Sequence, residues 1–247
     1  MAGEVLGIDV GGSSIKAGLV DLKAGRLAGE LVAAPTPRPS TPAALTNVLA
    51  ALAGRLPPSR GRLGVAFPSV IKRGTAYTAA NIDAAWVGTD GAALASQALG
   101  RAVLFLNDAD AAGLAELRWG AGRDCTGTVI MLTFGTGIGS ALFTGGRLFP
   151  NTELGHLELR GMDAEKWASA QVRTLEGLDF PAWIARVNEY LAMMHRLFWP
   201  DVFILGGAVS ERFTEFAPLL RSPAELRPAF FAGQAGVIGA ALAAAEG

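Results

Sequence analysis

Two histidines and a single cysteine, Cys125, are all that this chain offers a soft metal. A closed structural zinc site takes four Cys or His side chains, so no zinc site is expected. One cysteine also excludes an intramolecular disulfide and fits a reducing, cytoplasmic setting. Charge is scarce as well: 21 Lys and Arg against 22 Asp and Glu give a net charge of −1, and charged residues are 17% of the 247. The cations are scattered rather than clustered, which argues against nucleic-acid or membrane-surface binding. No stretch reaches the roughly 18 uninterrupted apolar residues of a spanning helix. The first residues, Met1 to Glu4, lack the positive n-region of a signal peptide. The two best-known phosphate loops are missing too, because no Gly-x-Gly-x-x-Gly joins a strand to a helix and no glycine turn ends in Gly-Lys-Ser/Thr.

What the chain does have is apolar residues, 51% of the total, enough for two modest domains or one large one. It also has two glycine-rich turns of one design, Asp9-Val-Gly-Gly-Ser-Ser-Ile-Lys16 and Thr133-Phe-Gly-Thr-Gly-Ile-Gly-Ser140. Each lies between two apolar runs and so reads as the tip of a hairpin. A glycine tip lets backbone N–H groups approach an anion, and Ser13, Ser14, Thr136 and Ser140 add hydroxyl donors. One such turn alone is more often an ordinary hairpin. Two matched ones, the first flanked by Asp9 and Lys16, read as two jaws on one phosphate.

Hairpin strands near 4–10 and 14–20 precede a strand at 30–34, a Pro-rich connector and a helix over 42–53. The pattern then predicts a strand at 62–67, a helix at 90–99, a strand at 102–106 and a helix at 109–118. Strands first, then alternating helix and strand, predict a mostly parallel sheet with an antiparallel edge. The hairpin around residue 136 starts the same plan again, followed by helices at 163–174 and 180–198, a buried strand at 202–205 and a small-residue helix at 234–246. The expected division is an N-terminal α/β domain, 1–107, completed by helix 234–247, and a C-terminal α/β domain, 108–233, with a cleft between them.

Asn107-Asp108 falls at the carboxyl end of an apolar strand, where open α/β sheets bind ligands, and also at a helix start. Both residue types favour N-caps, and a carboxylate there also suits a general base toward a substrate hydroxyl. Asn107 can cap while Asp108 does chemistry. Asn151 to Glu158 packs two carboxylates, an amide and an imidazole into eight residues. That density suits a ligand with several hydroxyls, and equally a polar surface turn.

These segments resemble the ROK (repressor, ORF, kinase) sugar-kinase family, and within it the polyphosphate glucokinases. The resemblance is carried by Asp9 to Lys16, Phe67 to Ser69, Asn81 with Trp86, Asn107 to Ala112, Leu132 to Gly139, Asn151 to His156 and Leu205 to Ser210. It implies an α/β, actin-like, hexokinase-type (ribonuclease H-like) two-domain fold, with a duplicated β-hairpin plus α/β core and a central cleft. By position, Asp108 is implied as catalytic base on the sugar 6-hydroxyl. Ser69, Asn81, Asn107, Glu153, His156 and Glu165 are implied as sugar contacts. Gly11, Gly12, Ser13, Lys16, Thr133, Gly135, Thr136 and Gly137 are implied to hold the phosphate donor, with Gly206 and Gly207 where nucleotide-using members accept adenosine. Asp9 matches an acid near Mg2+, and the implied assembly is a homodimer.

Many members carry a cysteine-rich zinc loop where this chain has Arg160 to Ser169, without a cysteine. Glu165 aligns with the acid that closes that loop, so a zinc-free sugar contact is implied. The implied activity is transfer of a terminal phosphoryl group from polyphosphate, ATP or both to glucose, with Lys16, Lys72, Arg73, Arg147, Arg173 and Arg212 as candidates for a polyphosphate track. A strictly ATP-dependent hexose kinase and a non-catalytic sugar-binding regulator are the alternatives.

Overall fold

The structure, a computed structural model, describes residues 4–59 and 61–247. The n-region reading at residues 1–3 lies outside them. The chain begins with β1 (Val5–Val10), β2 (Ser14–Asp21), β3 (Arg26–Leu27), β4 (Val32–Pro35) and α1 (Pro42–Ala53). Next come β5 (Leu63–Phe67), the small hairpin β6 (Ile71–Lys72) and β7 (Thr75–Ala76), α2 (Gly91–Leu99), β8 (Val103–Asn107) and α3 (Asp108–Arg118). After them run β9 (Thr128–Phe134), β10 (Ile138–Thr144), β11 (Arg147–Phe149) and the hairpin β12 (Glu158–Leu159) and β13 (Met162–Asp163). The remainder is α4 (Glu165–Ala168), α5 (Ala170–Leu175), α6 (Phe180–Phe198), β14 (Val202–Gly206), α7 (Phe213–Phe216), β15 (Glu225–Pro228) and α8 (Ala235–Glu246).

Two compact units result, Met1–Arg118 with Gln234–Gly247, and Trp119–Gly233. The first holds the sheet β3-β2-β1-β5-β8, with β4 also on β2. Its β1–β2 pair is antiparallel, and β1–β5 and β5–β8 are parallel. The second unit repeats the plan as β11-β10-β9-β14-β15, antiparallel through β9 and parallel beyond it. In each sheet a hairpin comes first and a central parallel strand is buried, whereas the outer parallel strand β15 is not. β5 and β14 are buried along their whole length, as central parallel strands require.

The expected boundary at 107/108 is corrected. Helix α3 belongs to the first unit because its alanine face packs on α8 and on β5 and β8. Gly239 lets the two helices touch, since a Cβ there would overlap the Ala111 carbonyl. The first core gathers around Ile8, Ile15, Leu45, Val65, Phe67 and Trp86. The second gathers around Phe134, Trp183, Tyr190, Phe203 and Phe216.

Helix ends follow the sequence. Thr41 and Asp179 cap α1 and α6 through bonds from Ala44 N and Ala182 N at 3.3 and 2.9 Å, each with proline in the first turn. The helix expected over 163–174 is two pieces. Ser169 is extended (φ −65°, ψ 161°) and its hydroxyl caps α5 through Val172 N, so the backbone breaks there. Among the described residues no helix is long and apolar enough to cross a membrane.

Candidate active site

In the first unit, residues 11–13 join β1 to β2. The turn is closed by Gly11 N donating to Ser14 O (3.0 Å) and Thr36 N to Ser13 O (3.1 Å), while the Thr36 hydroxyl donates to Gly11 O at 2.6 Å. Gly11 and Gly12 do not have positive φ; a Cβ on Gly11 would press on the Ser14 carbonyl at 3.0 Å, while Gly12 leaves space. A Cβ on Gly12 would lie 3.9 Å from Asn81 Cβ, so the loop bearing exposed Asn81 flanks this turn. That loop is anchored by buried Trp86, whose indole donates to Ser40 O at 2.9 Å.

Asp9, the residue before the end of β1, lies directly opposite Lys16 on β2. Its carboxyl pKa is pushed up to about 7, first by burial, then by the charge of Asp108, with Lys16 pulling the other way. Helix α8 presses on it: a Cβ at Gly236 would meet Asp9 Cγ at 2.5 Å. Asp108 follows the last residue of β8, two strands along the same sheet from β1. Burial raises its pKa too, against an opposing bond from Ala109 N at 2.9 Å. Asn107 does cap α3, accepting from Asp110 N at 3.0 Å, and its amide donates to Ser69 O at 3.1 Å. Ser69 itself is buried, its hydroxyl donating to Thr78 O at 2.8 Å.

In the second unit, residues 135–137 join β9 to β10, with Gly135 N donating to Gly137 O at 3.0 Å. A Cβ at Gly135 would meet nothing within 4 Å, whereas one at Gly137 would overlap the Glu165 carboxylate. Glu165 reaches this turn because Ile138 N donates to its Oε2 at 3.2 Å. Thr136 is exposed at the tip. Thr133 pairs with Gly206 across β9 and β14, and a Cβ on Gly207 would overlap the Phe134 backbone. Ser140 differs from expectation: it is buried and its hydroxyl donates to Thr152 O at 2.7 Å while accepting from Leu154 N. Its side chain points into the unit and is spent on holding the 152–154 segment.

That segment carries Glu153 and His156. His156 Nε2 lies 3.7 Å from Glu153 Oε2, and its Nδ1 lies 3.5 Å from Asp163 Oδ2 and 3.9 Å from Glu165 Oε1. Gly155 permits the turn by sitting against the Ile138 carbonyl. His156, Asp163 and Glu165 each bring a ligand atom within 4.8 Å of one another. Lys166 engages Asp163 at 3.1 Å, and three mixed donors fall short of the four Cys or His of a closed zinc site.

The structure therefore brings together Asp9, Lys16, Asp108 and the 11–13 turn in one unit, and Glu153, His156, Glu165 and the 135–137 turn in the other. The sequence reading passed over Thr36, Asp163 and Gly236. Asp163 stands inside the Arg160 to Ser169 stretch and was within reach of it; nothing local marks Thr36 or Gly236.

Comparison with known proteins gives this arrangement a lineage. The profile of the ROK family matches residues 5–170, and the polyphosphate glucokinase of Mycobacterium tuberculosis is 44% identical over 238 residues, 96% of this chain and 89% of that one. The chain belongs to the ROK family. Its fold is the actin-like, hexokinase-type fold of ROK sugar kinases. The inorganic polyphosphate/ATP-glucomannokinase of Arthrobacter sp. strain KM superposes with a TM-score of 0.96 at 44% identity, covering 98% of each chain. A ROK family glucokinase from Streptomyces griseus, solved with glucose and AMPPNP, shares the fold with a TM-score of 0.86 at 24% identity, covering 99% of this chain and all of that one.

Proposed function

We propose that this ROK protein is a glucokinase that transfers the terminal phosphoryl group of inorganic polyphosphate to the 6-hydroxyl of glucose. The observation that carries the reading is the 44% identity to a polyphosphate glucokinase over nearly the full length of both chains. Asp108 is the general base. It takes the proton of the 6-hydroxyl as that oxygen attacks phosphorus; the new O–P bond forms as the bridging P–O bond breaks. The products are glucose 6-phosphate and a polyphosphate one unit shorter. Its raised proton affinity suits that work, because a base poised nearer neutrality accepts a proton more readily than an ordinary carboxylate.

Glu153, His156 and Glu165 supply acceptors and a donor for sugar hydroxyls within the second unit, and Asn81 offers an amide within the first. Asn107 sets the start of α3 and hence the direction of Asp108, and Ser69 sets Asn107 through its carbonyl. Gly11, Gly12 and Ser13 leave backbone open to phosphate in one unit, as do Gly135, Thr136 and Gly137 in the other. Thr133, Gly206 and Gly207 form the floor beside the second turn.

The residues present fit Mg2+. Asp9 and Asp108 are two desolvated hard-oxygen donors whose charges oppose each other, with Lys16 as the one cation that eases Asp9. Mg2+ is commonly held by one or two carboxylates together with substrate phosphates. Asp9 would hold it, and when bound it neutralises charge on the transferring group. No zinc is assigned. The same reading makes the protein a cytoplasmic homodimer acting in glycolysis, with no nucleic-acid or membrane partner.

A dual-donor reading is favoured by one observation, since the relative with a TM-score of 0.96 is named for polyphosphate and ATP together. Turnover with glucose, Mg2+ and each donor separately tests both readings. Polyphosphate turnover is expected; exclusive use of ATP would overturn the donor assignment, and glucose binding without any turnover would make the protein a sugar-binding regulator. Replacing Asp108 by Asn is expected to lower turnover by about 10²–10⁴ while glucose still binds, and an unchanged rate would remove Asp108 from the role.

A further inference from the structure

The second unit gathers two arginines beside its phosphate turn. Helix α5 starts at that turn, where Gln171 N donates to Gly135 O at 3.0 Å, and Arg173 lies two residues on. Arg212 ends the short helical segment Ala208–Arg212 that follows Gly206-Gly207, and Gly207 backs onto Phe134 at the base of the same turn. Both guanidinium groups converge on Phe180, with Cζ 4.2 Å from the ring centroid for Arg173 and 4.6 Å for Arg212. Three separate stretches of chain thus place two like charges on one ring.

The charges are not balanced. Glu215 takes the fork of Arg212, with Nε to Oε1 at 2.7 Å and Nη2 to Oε2 at 2.6 Å. The same carboxylate feels Arg173 as well, so one anion serves two cations. Arg173 Nε is buried and makes no hydrogen bond. A buried donor without an acceptor is costly, and groups of this kind call for an explanation such as an ion or ligand. Guanidinium groups pair with phosphate oxygens; a phosphoryl group would compete with Glu215 for the Arg212 fork, while Phe180 holds both groups without taking their N–H donors.

We propose that Arg173 and Arg212, stacked on Phe180, form a subsite for internal phosphoryl groups of polyphosphate, behind the terminal group held at the 135–137 turn. The inference rests on the donor reading above and names where the chain of phosphates leaves that turn. A second phosphoryl subsite lends affinity to a long chain and little to a short donor.

The test is steady-state kinetics with long-chain polyphosphate, tripolyphosphate and ATP on the wild type, R173Q, R212Q, the double variant and the double R173K/R212K. In the double Gln variant KM for long-chain polyphosphate is expected to rise about tenfold, with kcat and KM for glucose held. KM for tripolyphosphate and for ATP should rise by less than that for the long chain, because each has at most two phosphoryl groups behind the terminal one to offer the subsite. The logarithmic salt dependence of kcat/KM for the long chain should flatten by roughly 0.7 per lost contact, by analogy with single-stranded nucleic acids. The Lys pair, keeping charge without the fork, should recover part of the loss. If the double variant unfolds, the single variants carry the test with smaller rises of the same pattern. An unchanged KM for the long chain, or an equal rise for ATP, overturns the subsite alone. A wild type that uses ATP and not polyphosphate overturns the donor reading and the subsite together.

Discussion

Asp9 is held in an environment that favours its proton. Its pKa stands near 7 against 3.8 for an ordinary aspartate, chiefly because it is desolvated and secondarily because Asp108 opposes its charge. The folded protein therefore binds a proton that the unfolded chain has already released between about pH 4 and 7. Its contribution to stability is complete below the unfolded value and is lost as pH climbs through the folded one. In the absence of metal and donor, D9N should gain on the wild type in thermal stability as pH rises from 4 to 8, on the order of a few kcal/mol at the upper end. A constant gap across that range would mean that Asp9 is solvated. If Asp9 holds Mg2+ as proposed, the same proton competes with the cation, and the Mg2+ concentration needed for half-maximal rate should increase below pH 7 in the wild type. The motifs drew attention to Asp9 and Asp108, and the structure buries both carboxyls. Side-chain directions were not legible in them: Ser13, Thr136 and Ser140 have similar hydroxyls in similar turns, yet Ser140 turns inward because its strand alternates faces and Thr152 waits there to accept its proton.

At the scale of elements, α8 does what composition alone does not announce. It reads as a bland run of Ala and Gly, yet its glycines allow backbone contact that larger residues forbid. A Cβ on Gly7 would overlap the Val237 carbonyl and one on Gly64 the Ala240 carbonyl, so β1 and β5 touch the helix main chain. Gly236 and Gly239 divide two duties and predict two distinct phenotypes. G236A pushes on the Asp9 carboxylate, and a displacement of about 1 Å can cost on the order of 10²-fold in rate, with little change in melting temperature. G239A strikes the Ala111 carbonyl, which cannot swing aside, and should lower stability by about 1–3 kcal/mol. Comparing kcat with denaturant midpoints checks both, and equal losses in the two variants would count against the division. Hairpins, caps and buried strands were legible because their signals are local: apolar runs, Thr41-Pro42, Asp179. The edge strand β15 was not, since it depends on partners distant in sequence, Phe203 and Ile204 among them; the break at Ser169 is a local cap, but a serine inside an otherwise helical run does not announce it.

For the whole molecule, the duplication of a hairpin-plus-parallel-strand plan was visible from two turns of matching design. The boundary was harder, because a helix start at Asp108 looks like a domain start when the residues that cover α3 lie more than a hundred positions later. The second unit is one uninterrupted stretch with its own core, whereas the first is closed only by Gln234–Gly247. Removing residues 234–247 should leave a protease-resistant fragment that maps to about 119–233 while the first unit is digested. Recovery of an intact first unit from that truncation would contradict the packing described here. Translation gives this arrangement a timetable. At about 5–20 residues per second, the whole of Trp119–Gly233 emerges before Gly236 leaves the ribosome. The unit that bears Asp9 and Asp108 is completed only after that, when residues 234–247 are released and settle on Asp9.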